Sequence, residues 1–186
     1  MRPEEQELRV RDAVPVDAER VAGIARRAWP AAYRGLFDKS FIDLVLDQAY
    51  HPAAMRDRIE EARGADAEFL VADEAGHAVG FLHFGPGERG AELRALYVEP
   101  ERIGAGIGHA LLGELNRRLR PGTEYVALVR EGNDLAIRFY ERHGFEQAEL
   151  VNGFDVFAAH HGLRPPAEER RGRDPLMRYR VPAGTG

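Results

Sequence analysis

Val98-Glu99-Pro100-Glu101-Arg102-Ile103-Gly104-Ala105-Gly106-Ile107-Gly108-His109-Ala110-Leu111-Leu112 joins one regular element to the next. The apolar run before it (Leu93, Leu96, Tyr97, Val98) stops at Pro100 and reads as a strand. Glycines at alternate positions follow, and Ile107, Ala110, Leu111, Leu115 and Leu119 then repeat at helical spacing. A strand, a tight turn and a helix N-terminus in succession aim several backbone N–H groups at one point. The positive end of the helix dipole backs them, which makes the turn suited to a phosphate group. Glycine lets that group approach the backbone, because no Cβ stands in its way.

The chain on either side reads as alternating elements. Glu7 to Val14 is a first strand, and Pro15 opens a helix whose stripe is Val21, Ile24, Ala25 and Ala28. Trp29-Pro30 is expected to interrupt that helix. Phe41, Leu44 and Val45 share a face of a second helix, and Pro52 to Arg63 makes a third. Glu68 to Asp73 and Ala78 to Phe84 form a hairpin around Glu74-Ala75-Gly76-His77, with the second strand ended by Gly85-Pro86-Gly87. Ala91 to Val98 is the strand that enters the glycine turn. After the following helix come a strand at Tyr125 to Val129, a helix from Asn133 to His143 stopped by Gly144, and strands at Phe145 to Val156 and Leu176 to Val181. His160 to Arg173 is polar and reads as a loop.

Composition narrows the function classes. A chain of 186 residues with 44% hydrophobic and 31% charged residues is expected to form one globular domain over residues 1–181, with 182–186 a disordered tail. The absence of cysteine removes thiolate nucleophiles, thiolate metal sites and disulfides. A net charge of −5 argues against a nucleic-acid partner. No apolar run reaches the roughly 20 residues of a membrane span, and the N-terminus does not read as a signal peptide, so the expectation is a cytoplasmic protein without a membrane partner. Lys39 is the only lysine among 26 basic residues, so arginine abundance reflects composition rather than phosphate chemistry.

A dinucleotide fingerprint, G-x-G-x-x-G, counted from Gly104 requires glycine or alanine where His109 stands. With that excluded, Gly104, Gly106 and Gly108 in this setting resemble the GNAT superfamily of acyl-CoA-dependent N-acetyltransferases. A second motif agrees: Asn133, Ala136, Phe139, Tyr140, Gly144 and Phe145 match that family's N-x-x-A-x-x-F-Y-x-x-x-G-F helix. The resemblance runs from Leu8 to about Phe157, with Leu176 to Val181 as a final strand. It implies an α/β (α+β) fold with a mixed, mostly antiparallel sheet of about seven strands and helices on both faces.

The resemblance further implies acetyl-CoA as co-substrate, with no metal. Its pyrophosphate would be held by the amides of Ile103, Gly104, Ala105, Gly106, Ile107 and Gly108. The pantetheine arm would lie along Leu96, Tyr97 and Val98 and touch Asn133. The family has Gln or Arg where Ile103 stands, and Arg102 falls one residue early. Asn133 is also a favoured helix cap.

Tyr140 reads as a core aromatic by periodicity and, by resemblance, as the acid that protonates the departing thiolate, a role open to a phenol with pKa near 10. Glu92, at the start of the fourth strand, is either the general base or a solvated glutamate. Leu128 stands where some protein-N-terminal acetyltransferases carry a glutamate. Trp29 and Tyr33, one helical turn apart, are candidates for the acceptor pocket or for plain packing, as is Tyr50. The seven histidines suggest no cluster, and adjacent His160-His161 are not placed to chelate. The implied activity is acetyl transfer to a primary amine of a small molecule or peptide. The alternative is an acyl-CoA sensor without turnover. Family members often form homodimers, which the last strands could support.

Overall fold

The computed structural model describes residues 7–63, 66–87, 89–152 and 173–182. Its strands are β1 (Leu8–Asp12), β2 (Glu68–Glu74), β3 (His77–Gly87), β4 (Gly90–Val98), β5 (Glu124–Leu128), β6 (Glu146–Val151) and β7 (Asp174–Arg180). Its helices are α1 (Ala18–Tyr33), α2 (Lys39–Ala49), α3 (Pro52–Ala62), α4 (Ile107–Arg118) and α5 (Asp134–Arg142). The strands form one sheet in the order β1-β2-β3-β4-β5-β7-β6. Every pairing is antiparallel except β4 with β5. The parallel pair follows from its connection: α4 carries the chain back across the sheet before β5 begins.

Alternation along the strands feeds two cores. On β2, Phe69 and Val71 join Val21, Ile24, Trp29, Phe41, Val45 and Ile59 beneath α1–α3. Leu70 and Ala72 face the opposite way and meet Ile107, Leu111 and Leu115 of α4, with Tyr125, Phe145 and Met177. The sheet is therefore covered on both faces, as expected. The β2–β3 hairpin closes through Ala75 (φ 51°) and Gly76 (φ 85°), the left-handed pair that a two-residue turn requires. Asp73 Oδ1 accepts the Gly76 amide at 2.7 Å and braces the turn.

Two expected boundaries are corrected. Pro30 does not interrupt α1, which runs through it to Tyr33. A proline costs a helix one N–H bond, and here Ala25, Ala28 and Trp29 before it are buried in the core while Tyr33 after it packs against the same core. Nor does Gly85-Pro86-Gly87 end β3, since Pro86 pairs with Ala91 and Gly87 with Gly90. Beyond Phe84 the β2 partner has run out, and a proline is tolerated where one side of a strand is unpaired. The expected strands and loop from 153 to 172, and the tail from 183, lie outside the described residues. Among the described residues no helix is long and apolar enough to cross a membrane.

The β3–β4 register shifts at His83/Phe84: His83 pairs with Ala95 and Phe84 with Leu93, leaving Arg94 as the extra residue of a bulge. Helix α4 sits close to the sheet at Gly80 of β3. A Cβ on Gly80 would lie 2.8 Å from Ile107 Cγ2 and 3.1 Å from the Tyr97 carbonyl oxygen. Gly113, on the exposed side of α4, would meet nothing within 4 Å. The two glycines should therefore respond oppositely to alanine. Gly80→Ala is expected to destabilise by about 1–3 kcal/mol through overpacking. Gly113→Ala is expected to stabilise by about 0.5–1 kcal/mol. Urea unfolding of the two variants checks both signs, and a neutral Gly80→Ala would refute the close approach of α4.

Candidate active site

β4 and β5 pair only over Ala91–Leu93 against Tyr125–Ala127. Past that point β4 stays with β3 as far as Val98, while β5 stays with β7 as far as Leu128 and Leu176. The sheet opens into a wedge, and the Arg94–Val98 half of β4 has no strand on its β5 side. Side chains on this half alternate. Leu96 and Val98 pack with the core under α4 and α5, whereas Tyr97 packs with the core under α1–α3.

The glycine turn leaves directly from this unpaired half. After a 3-10 turn at Pro100–Arg102, Gly104 (φ 89°) and Gly106 (φ 81°) take left-handed conformations, and Gly106 caps α4 without a side chain. The Ala110 amide returns to the Gly106 carbonyl at 2.9 Å. The amides of Gly104, Gly106, Ile107, Gly108 and His109 donate to no protein acceptor among the described residues. They form a row of donors at the positive end of α4. The glycines have separate reasons. Conformation requires Gly104 and Gly106, whereas a Cβ on Gly108 would press on Phe139 of α5 at 3.1 Å. Ile107 is buried in the core, so only its amide faces the turn.

Side chains stake the turn from outside. Glu99, just past β4 and 6% exposed, accepts from Arg27 at 2.7 and 2.6 Å and has Arg20 at 3.2 Å. Arg102 makes a two-pronged ion pair with buried Glu74 of β2. Arg102 is thereby committed to the fold, and exposed Ile103 brings no charge to the turn.

The second motif forms α5. Asn133 Oδ1 accepts the Ala136 amide at 3.2 Å, so Asn133 does cap the helix. Tyr140 is 9% exposed, with Phe139 and Phe145 at 5.3 and 4.9 Å between ring centres. Burial first, and then the neighbouring Tyr33 phenol, raise the Tyr140 hydroxyl and keep it protonated at neutral pH. The hydroxyl therefore has a proton to donate.

On the other side of β4, Tyr33 and Tyr97 bring their hydroxyls within 3.3 Å. Burial is the main cause that pushes Tyr33 up to about 12, and Asp174 adds to it. Trp29 is a core residue at 2% exposure, packed on Tyr33, Tyr50 and Tyr97. Of the two acceptor-pocket candidates, Tyr33 alone is partly exposed. Glu92 pairs with Val126 on the last rungs before the wedge opens. Its carboxylate lies over Gly87 of β3, where a Cβ would be 2.0 Å from Cδ, and accepts the Arg89 amide at 3.3 Å. In this conformation the carboxylate leans away from the wedge.

Some groups near the wedge carry no sequence signal. Buried Asp174, the first residue of β7, accepts from Arg130 at 3.2 Å and from the Glu131 amide at 2.9 Å. Arg130 lies 4.7 Å above the Phe37 ring. The expectation that the histidines do not cluster is corrected for one pair. His109 Nδ1 and His143 Nε2 are 3.0 Å apart, although 34 residues separate them in the chain. Their meeting depends on how α4 packs on α5, which spacing within either helix does not reveal. His160 and His161 lie outside the described residues. No group of three or more His, Asp or Glu side chains able to hold a metal occurs among the described residues.

A split sheet with a donor-lined turn at the mouth of its wedge is the arrangement that the family resemblance leads one to expect, and the comparisons agree. Residues 65–147 match the family described as acetyltransferase (GNAT) domain. The chain is 27% identical over 142 residues to spermidine N(1)-acetyltransferase of Thermoplasma acidophilum, covering 75% of this chain and 88% of that protein. The fold is similar to the PaiA N-acetyltransferase of Thermoplasma acidophilum in complex with coenzyme A (TM-score 0.73, 22% identity, 94% and 99% of the two chains). It is also similar to YncA, a putative acetyltransferase from Salmonella typhimurium with its cofactor acetyl-CoA (TM-score 0.67, 20% identity, 97% of each chain). Residues 65–147 thus match a GNAT acetyltransferase domain, within a chain whose fold is similar to those of N-acetyltransferases.

The stake beneath the turn can be tested by pH. The Arg27 hydrogen bonds are the largest cause holding the Glu99 carboxyl below its usual range. A lowered carboxylate stabilises the fold above the unfolded-state value and loses that contribution as pH falls through the folded value. Glu99→Gln should cost about 1–3 kcal/mol at pH 7 and flatten the acid limb of the stability curve. Urea unfolding from pH 7 down to pH 3 reads both effects. Parallel wild-type and variant curves would show that Glu99 carries no such linkage.

Proposed function

We propose that the wedge between β4 and β5 binds acetyl-CoA and that the enzyme transfers its acetyl group directly to a primary amine. The observation that carries this reading is the row of unpaired amides from Gly104 to His109, continuous with the unpaired half of β4. Those amides, with the α4 dipole behind them, would take the pyrophosphate. The amide-rich pantetheine arm would lie along Leu96, Tyr97 and Val98 in the place of a missing strand. Asn133 would then cap α5 and contact the donor together. The neutral side chain of Ile103 leaves phosphate binding to the main chain.

The amine must lose a proton before its lone pair can attack the thioester carbonyl. Glu92 would receive that proton through a water molecule, or after its side chain swings from Gly87 toward the wedge. A backbone N–H of β4 would stabilise the tetrahedral oxyanion. As the C–S bond breaks, Tyr140 would give its phenolic proton to the sulfur. Tyr33, on the α1–α3 side of β4, would border the acceptor. A polyamine is the first acceptor to try, since the Thermoplasma relative is named for spermidine.

Tyr140→Phe keeps the ring and removes only the proton donor. Its kcat on the best amine of a panel is expected to fall about 10- to 100-fold with little change in donor affinity. Glu92→Gln should lower kcat/KM most at neutral pH, and the defect should shrink as pH rises and the free amine appears unaided. Steady-state kinetics with a parallel acetyl-CoA binding assay check both variants. Unchanged turnover in Tyr140→Phe would remove it as the acid. Tight donor binding without turnover on any amine would instead favour a sensor.

A further inference from the structure

The histidine pair has a defined hydrogen-bond order. His143 Nδ1 lies 2.7 Å from the Phe139 carbonyl oxygen, which can only accept, so Nδ1 carries the hydrogen. Neutral His143 therefore presents a bare Nε2. His109 Nδ1, 3.0 Å from that Nε2, must donate to it. Each ring nitrogen but one is thus assigned, and the remaining one is His109 Nε2. A proton added there makes His109 an imidazolium with both hydrogen bonds intact. A second proton on the pair would set N–H against N–H and break the contact. The geometry accommodates one proton.

Its position gives that proton a use. His109 is the third residue of α4, and its own amide belongs to the unpaired row of the turn. Phe139 holds the pair in place: His143 packs on it at 4.3 Å, and the same ring abuts Gly108. Among the described residues no carboxylate oxygen lies within 4.0 Å of a nitrogen of either ring. One helical turn from His109 on α4 stand Leu112 and Gly113, and one turn from His143 on α5 stand Phe139 and Tyr140. Arg142, next to His143 in sequence, is the adjoining charge on α5. The positive end of α4 repels a proton on His109, and an anion at the turn attracts one.

We propose that His109 is a donor-binding residue, positioned by His143, and that the pair takes up one proton when a phosphate of the donor settles at the turn. This rests on the reading of the turn as the donor phosphate site. It adds a mobile positive charge where Ile103 supplies none and Arg102 is already committed to Glu74. By linkage, donor binding then strengthens as pH falls through the range in which imidazole titrates.

Calorimetric titration of coenzyme A into wild type and His109→Gln, in two buffers of different ionisation heat near pH 7, counts the protons taken up. Wild type should take up about half a proton more than the variant. From pH 8 to pH 6 its affinity should gain about three- to tenfold relative to the variant. The comparison is between proteins because the ligand's own phosphate also titrates there. Repeating it with 3′-dephospho-coenzyme A names the partner: retained uptake assigns it to the pyrophosphate, and lost uptake to the 3′-phosphate. Ring-nitrogen NMR of the wild type reads the event without a variant: His109 should become imidazolium on adding coenzyme A while His143 stays neutral. Equal uptake in both proteins, or an unchanged His109 spectrum, would overturn the proposal while binding itself upheld the donor site. No binding of coenzyme A by wild type would overturn the donor site as well.

Discussion

Three residue pairs, Ala91–Leu93 against Tyr125–Ala127, join the two halves of the sheet by backbone pairing. Everything distinctive about the molecule follows from how short that seam is. A longer seam would satisfy the backbone of β4 as far as Val98 and leave no wedge. A shorter one would detach β5, β7 and β6 from the rest. The halves stay in register because each is clamped independently: β4 by β3 along its length, β5 by β7 along its own. Helix α4 lies over the β1–β4 half, packed close against Gly80, and reaches the other half through Phe139 of α5 and the Tyr125 hydroxyl of β5, which donates to Asn116. The wedge is thus a fixed opening between two well-paired bodies.

The electrostatics follow the same division of labour. Around the turn, arginines serve the fold: Arg27 and Arg20 secure Glu99, and Arg102 secures Glu74. Because side chains fix the turn from outside, its backbone amides are left facing out. The positive character of the turn comes from peptide dipoles, which do not wander as a long side chain would. Away from the turn, buried Asp174 holds Arg130 over the Phe37 ring, and the Tyr33 and Tyr97 phenols, raised by burial, stay protonated near neutrality.

Much of this was legible in the sequence because the two motifs are local. The glycine turn and the Asn133–Phe145 helix each depend on residues within one turn or one helix, and both appear where the spacing puts them. The element order follows from apolar periodicity, and the sheet covered on both faces is what the family resemblance implied. What was not legible depends on tertiary context. Pro30 stays helical because core residues flank it, and Gly85-Pro86-Gly87 stays a strand because β4 continues alongside. Arg102 looked like a displaced phosphate ligand until Glu74 claimed it. His109 and His143 sit in helices whose crossing no spacing encodes. Asp174 and Arg130, far apart in the chain, meet only once β7 lies beside β5.

The bulge at Arg94 also decides which residues can work together. Glu92 and Tyr97 are an odd number of positions apart, so a regular strand would send them to opposite sides of the sheet. The extra residue changes the parity. Ala91 and Leu93 point to the α4 side, which turns Glu92 to the α1–α3 side, and Tyr97 faces that side too. One inserted residue thus gives the strand two reading frames. The same few residues of β4 can present a carboxylate and a phenol to one chamber while Leu96 and Val98 line the other.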